Sequence, residues 1–344
     1  MAKRSKADAT PCRWINGPQA FREFATHEGK TQSARHIKPL HWYIACRLVI
    51  EGGFRPDDIT PRPPFRVEEK KTRKGRLRNI LHYDPEKGGS GEQVILGGLK
   101  TKNVDVVVNK QPVGPVLAVS CKGVTKAFRN LTNRMEETIG ECTNLHITYP
   151  AMVIGYFAVL RANRTIEDAL EAPDLDEEDT ATEPEETAPE PDVPELPASA
   201  KSVERMKAND IAILEDGSVA EGIVRFHAAL REMTARRGLR DEISRYEAMT
   251  MALIEPQGAN AGSVLSIFPP KDCPLHLSDF FSTLYQRYEE RFVYGAPLLA
   301  DRGVTTRLEW DLESPVFART VPEAKDWPPL DFDPRLAAPA VTSY

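Results

Sequence analysis

The chain has 344 residues, a formal net charge of −6 and five Cys. That length suits one large domain or two modest ones, and with no apolar run long enough to span a bilayer and no signal-peptide pattern it reads as a cytoplasmic protein. The Cys show no CxxC spacing, which argues against a zinc framework and for reduced core thiols.

The charge is unevenly spread. Residues 1–164 hold 28 Lys and Arg against 15 Asp and Glu, residues 165–200 hold 14 acids and no base, and residues 201–344 hold 17 bases against 22 acids. A basic first half suits a polyanionic partner. Such an excess is also common in ordinary proteins, so it supports a nucleic-acid reading without making it.

Residues 1–30 read as a basic arm of weak structure. Pro39 to Glu51 reads as a helix, with Leu40, Ile44 and Leu48 on one face and Gly52-Gly53 as its stop. The prolines of Phe54 to Phe65 indicate a loop. Glu68 to Arg78 is strongly basic, and Lys70, Lys71, Arg73, Lys74, Arg76 and Arg78 are either DNA-backbone contacts or a solvated surface run. Ile80 to His82 and Gln93 to Leu99 are short strand candidates separated by a Gly-rich turn that lacks the spacing of a phosphate loop.

The stretch from Asn103 to Glu141 organises the rest. Val104–Asn109 and Val116–Lys122 are β-rich runs around the turn Gln111-Pro112-Val113-Gly114-Pro115. A turn centred near Pro112 pairs residues whose numbers sum to about 225, which sets Asp105 opposite Ser120. One hairpin face is then Val104, Val106, Val108, Leu117, Val119 and Cys121, and the other carries Asp105, Val107, Asn109, Ala118, Ser120 and Lys122. An Asp and a Lys on such a hairpin must be paired, solvated in a cleft or bound to a metal. Thr125 to Cys142 reads as a helix with Phe128, Leu131, Met135, Ile139 and Cys142 on its apolar face. Glu136 flanks that stripe and can lean back over the Lys122 strand. Asp105 and Glu136 together suit Mg²⁺, with Lys122 positioned to orient or deprotonate water.

Leu145–Thr148 and Met152–Leu160 are apolar runs, of which at least one should be a strand. Residues 165–203 are an acidic, Pro-rich segment expected to be disordered, as a linker or as a cover for the basic half. The part spanning 204–311 contains an amphipathic helix over Ala220–Arg236, an ambiguous helix or strand over Tyr246–Glu255, a strand-like Val264–Phe268, and a helix capped by Ser278. The aromatic stripe of that helix (Phe281, Tyr285, Tyr288, Phe292) suits the core or a subunit interface. A Pro-rich tail over 312–344 should wrap the surface or be loose.

The pattern Asp105-(x14)-Ser120-x-Lys122 resembles the PD-(D/E)xK nuclease motif, with Ser120 where a second acid usually stands. It resembles most closely the type II restriction endonucleases that cut CCGG-cored sites, which have Ser-x-Lys on the strand and take the missing carboxylate from a Glu on the next helix, fourteen residues after the Lys; in this chain that is Glu136. The resemblance implies an α/β fold with a restriction-endonuclease-like mixed central sheet flanked by helices, the nuclease core lying within 31–164. It implies catalytic Asp105, Ser120, Lys122 and Glu136, a Mg²⁺ cofactor on Asp105 and Glu136, and Glu51, Glu92 and Glu137 as secondary metal candidates. It also implies double-stranded DNA as substrate, a homodimer or higher oligomer, and a role in restriction or phage defence with possible partner proteins. A repair, recombination or transposition nuclease of the same superfamily, and a catalytically inactive DNA-binding or complex-assembly protein, are the alternatives.

Overall fold

The chain enters its core early. Asn16-Gly17-Pro18-Gln19 is a capping box: the Asn16 side chain accepts from the Gln19 N–H and Gln19 reaches back to the Asn16 N–H. It starts α1 (Gly17–Ala25), whose Ala20, Phe21, Phe24 and Ala25 are buried. The expected weak arm over 1–30 is therefore corrected for residues 12–25, where Cys12, Trp14 and Ile15 are core residues too. This computed structural model describes residues 10–27, 36–71, 75, 77–126, 128, 131–171, 209–319 and 321–338.

Helix α2 (Lys38–Ile50) matches the expected helix, but eleven of its residues are buried, on all sides. A helix apolar all round belongs in the middle of a fold, and α2 packs against α1 on one side and the sheet on another. Strand β1 (Ile59–Thr60) follows, then the ribbon of β2 (Phe65–Lys71) and β3 (Leu77–Tyr83), then a second ribbon of β4 (Gln93–Leu96) and β5 (Thr101–Val104). Strands β6 (Val106–Lys110) and β7 (Gly114–Val124) form the central hairpin, pairing Val106 with Val119 and Val108 with Leu117. That is the expected register, in which pairs sum to 225.

Helix α3 (Leu131–Thr148) crosses from β7 to the parallel strand β8 (Val153–Arg161). Leu145–Thr148 therefore continues the helix, and Met152–Leu160 supplies the strand. Ile139, expected on the buried stripe, is 38% exposed. The short α4 (Ile166–Glu171) is capped by Asp168, which accepts from the N–H groups of Arg164 and Thr165. The segment 165–203, expected to be disordered, forms α4 in its first residues; the remainder of it falls within 172–208, outside the described residues. Helix α5 (Glu221–Glu232) leads to β9 (Ala248–Ile254), which resolves the ambiguous segment as a strand. Val264–Phe268 contributes only one isolated bridge, Ile254 to Val264, in place of a strand. Helix α6 (Leu277–Tyr288) completes the set.

The five-stranded sheet has the order β1-β6-β7-β8-β9, antiparallel as far as β7 and parallel beyond. Through β9, the part spanning 209–311 contributes a strand to the same sheet. Both sheet faces are buried. Val106, Val108, Leu117, Val119 and Cys121 pack toward α1, α2 and α6, while Val107, Ala118 and Ile154 pack toward α3 and α5. The hairpin face expected to be half polar is therefore a second core, as helices on both sides require. Val104 belongs to that second core, because the chain bends at Asp105 and breaks the alternation. Phe281, Tyr285, Tyr288 and Phe292 are buried in the first core, so the α6 stripe is core and not a subunit interface. The tail returns over α2: Arg335 N–H donates to Ile50 and the Trp310 indole donates to Val49. No helix among the described residues is long and apolar enough to cross a membrane.

One buried charge cluster ties α3, β9 and the turn after α6. Glu247 is fully buried and accepts from Arg236 at 2.9 Å, pairs with Arg291 at 2.7 Å and accepts from the Ile154 N–H at 2.7 Å. His146 Nε2 stands 3.6 Å away, a charge contact and not a hydrogen bond. Burial alone would raise the Glu247 carboxyl, but the contacts to His146, Arg291 and Ile154 outweigh it and hold the group below its ordinary range. Its stabilisation is therefore present above the ordinary carboxylate value of about 4.3 and is lost as pH falls through the lower folded-state value. Glu247→Gln is expected to cost about 3–5 kcal/mol near neutral pH, by leaving buried guanidinium groups uncompensated. Urea unfolding across a pH series should show the gap to wild type closing below about pH 4.

Candidate metal centre

Strand β7 outruns β6. The ladder between them ends at Val106 and Val119, while Ser120 to Val124 continue to pair with β8 beyond it. The Asp105 side chain fills the first gap: its Oδ2 accepts the Cys121 N–H at 2.6 Å. Asp105 also sits at the end of the β4–β5 ribbon. Gln93 pairs with Val104, so the next two residues outward, Glu92 and Asp105, emerge side by side.

That ribbon is clamped to α3. Buried Asn144 accepts from the N–H groups of Leu99 and Lys100 and donates to the Lys100 carbonyl. Side chains at Gly97 and Gly98 would collide with it: a Cβ would lie 2.0 Å from Asn144 Nδ2 and 2.1 Å from Ile147 Cγ2 respectively. The clamp fixes the ribbon relative to Glu141, one turn earlier on α3. Glu141 is 6% exposed and accepts from Ser120 Oγ at 3.3 Å, with Lys102 Nζ of β5 at 3.7 Å.

The fourth contributor is His41, in the first turn of α2. It is buried, its Nε2 lies 3.8 Å from Asp105 Oδ1, and that nitrogen has no hydrogen-bond partner. Donor atoms of His41, Glu92 and Asp105 all lie within 4.8 Å of one another. An orphaned buried nitrogen costs about 1–3 kcal/mol, a cost relieved by a cation between it and two carboxylates. The residues present thus fit a divalent ion.

The electrostatics agree. Glu92, exposed at the rim of the group, is raised above its ordinary range by partial desolvation first and then by Asp105, with Lys122 and Lys38 opposing. Glu141 is raised by burial, with Lys122 and Lys102 opposing and Asp105 adding to the rise. His41 is lowered, chiefly by burial, with Lys122 and Lys38 adding and Asp105 opposing. The centre therefore holds three mutually repelling carboxyl groups and a neutral imidazole, with lysines among them. Such a set favours an added cation.

Of the expected site residues, the structure brings together Asp105, Ser120, Lys122 and Glu92. It does not bring Glu136 or Glu137 there: both are exposed on α3. Five residues separate Glu136 from Glu141, which turns it about 140° around the helix. The α3 acid that meets Ser120 is Glu141. Glu51 closes α2 at the far end from His41, bound by Arg47 at 2.6 Å and by the Tyr285 hydroxyl at 3.0 Å. Lys70 and Lys71 lie on β2, and Arg78 on β3 is tied to Asp311 and to Glu313 at 2.6 Å; Arg73, Lys74 and Arg76 fall outside the described residues. His41 and Glu141 escaped the sequence reading, yet each left a trace. His41 is a polar interruption in a wholly apolar helix, and Thr138, Glu141 and Asn144 recur at helical spacing as a buried polar stripe.

Comparison with protein-family models, with curated proteins and with solved structures finds no match.

Asp105→Asn keeps an acceptor for the Cys121 N–H but removes one of the repelling charges. In EDTA the variant is expected to melt no lower than wild type. A divalent cation at 100 times its Kd should add about 2.7 kcal/mol to wild-type stability and leave the variant unchanged, as scanning calorimetry would show.

Proposed function

We propose that this protein is a metal-dependent deoxyribonuclease that hydrolyses phosphodiester bonds in double-stranded DNA, acting in restriction or phage defence. The observation that supports the reading is that Asp105 meets the Cys121 N–H where the central hairpin ladder ends, a helix carboxylate, Glu141, stands against Ser120, and the Lys122 charge acts on both Glu92 and Glu141. The Ser in place of a second acid would otherwise favour an inactive DNA-binding protein. The Ser120–Glu141 contact answers that, because it returns a carboxylate to the site. The mixed sheet flanked by helices is compatible with a restriction-endonuclease-like core.

A bound Mg²⁺-class cation would neutralise charge on the phosphate and lower the pKa of an attacking water. Asp105 and Glu92 would hold it, with the Glu141 carboxylate standing behind them on Ser120. Lys122 would donate to a phosphate oxygen and fix the scissile group. Ser120 holds the Glu141 carboxylate in place. The Lys70 and Lys71 ribbon supplies exposed positive charge for the DNA backbone, where each phosphate contact steepens the salt dependence of binding. Two copies would bring two such sites to the two strands of a duplex.

Purified protein incubated with plasmid and phage DNA should give fragments that require a divalent cation and disappear with EDTA. Lys122→Ala and Glu141→Gln should each lower the cleavage rate at least about 100-fold, while Glu136→Ala should stay within about threefold of wild type. Full activity in Glu141→Gln would remove that residue from the site. Absence of cleavage on every DNA, modified or unmodified, would overturn the nuclease reading.

A further inference from the structure

His41 has no counterpart among the residues that phosphodiester hydrolysis requires of this site, yet it is the least accommodated of them. It is 4% exposed, and its Nε2 carries no hydrogen bond. Buried polar atoms in native folds are paired with protein, water or an ion. Its nearest acidic neighbour, Asp105 Oδ1 at 3.8 Å, is too far for a hydrogen bond. The distance fits something else: with metal–ligand bonds of about 2.1 Å, atoms bound to one ion stand about 3–4.2 Å apart. Glu92 completes a triangle within 4.8 Å. The imidazole nitrogen is thus placed as one ligand of an ion that the two carboxylates share.

We propose that His41 Nε2 is a direct metal ligand and that it makes this centre selective for Mn²⁺ over Mg²⁺. The proposal deepens the metal-site reading above and rests on it. Mg²⁺ takes oxygen ligands and rarely leaves its waters for a nitrogen. Imidazole favours first-row transition ions, whereas carboxylates and water suit Mg²⁺, Ca²⁺ and Mn²⁺. A site of two carboxylates and one imidazole falls where these preferences overlap, and Mn²⁺ accepts both donor types. The site is also pre-arranged. The imidazole is fixed by its burial in the first turn of α2, and both carboxylates sit at the ends of a ribbon clamped by Asn144, so little freedom is lost on binding.

The test uses the full chain without DNA. Isothermal titration with MnCl₂ and MgCl₂ after chelator treatment gives both affinities for wild type, His41→Asn and His41→Gln, with circular dichroism confirming that each variant folds. Wild type is expected to bind Mn²⁺ about 100-fold more tightly than Mg²⁺, and the variants are expected to lose at least about tenfold of that ratio, nearly all from Mn²⁺. Electron spin echo spectra of bound Mn²⁺ should show modulation from a directly coordinated ¹⁴N in wild type and none in either variant. Equal weakening of both ions, or unchanged ¹⁴N modulation in the variants, would overturn His41 as the selecting ligand. If wild type binds neither ion, the metal site itself fails. If it binds Mn²⁺ selectively but cuts no DNA, the nuclease reading fails and this inference stands.

Discussion

The carboxylate of Asp105 accepts the backbone N–H of Cys121 where the β6–β7 ladder runs out. That bond satisfies a donor that would otherwise end in a gap, and it fixes a negative charge at the rim of two cores. The other members of the centre assemble around that charge. Glu92 arrives because it faces Asp105 across the ribbon's base. Glu141 arrives because Asn144 clamps that ribbon to α3. His41 arrives because α2 is buried on every side and its first turn abuts the open edge. Each placement has a structural cause of its own, and together they leave three carboxylates near one imidazole, with Lys122, Lys102 and Lys38 around them.

The contrast with Glu247 is informative. Both Glu247 and Glu141 are buried carboxylates on the same side of the sheet. Glu247 is matched by two guanidinium groups and a backbone N–H, and its carboxyl is held below the ordinary range. Glu141 has a serine hydroxyl, Lys102 at 3.7 Å and the charge of Lys122, and burial still pushes its carboxyl above that range. A fold able to neutralise one buried acid so thoroughly has left the other poised, and displaced titration of that kind is concentrated where function is.

Much of this was legible in the chain. The hairpin register from Val106 to Val108 followed from turn chemistry and alternation, whereas Asp105, expected opposite Ser120, stands at a bend beyond the ladder and meets the Cys121 N–H instead. Helix α2 and strand β8 followed from apolar runs bounded by Gly, Pro or turns. The helix acid was not legible, because Glu136 and Glu141 differ only in which side of α3 faces the sheet, and that is set by contacts with Ser120, Lys102 and the ribbon. Ile139 misled in the same way, as an apolar residue on the outer side. His41 was hidden because it enters the centre from another layer, with 64 positions of sequence between it and Asp105. The role of β9 in the central sheet was hidden because MALI in Ala248–Ile254 suits helix and strand alike, and only the parallel pairing with β8 decides it.

The most direct test of the central claim is anomalous diffraction from a crystal of this protein soaked in MnCl₂, with data collected on both sides of the manganese absorption edge. The account predicts one strong peak within about 2.3 Å of oxygens from Asp105 and Glu92 and of His41 Nε2. No peak there, with a lysine ammonium lying between the two carboxylates instead, would show the cluster to be a structural ion pair and would contradict the account.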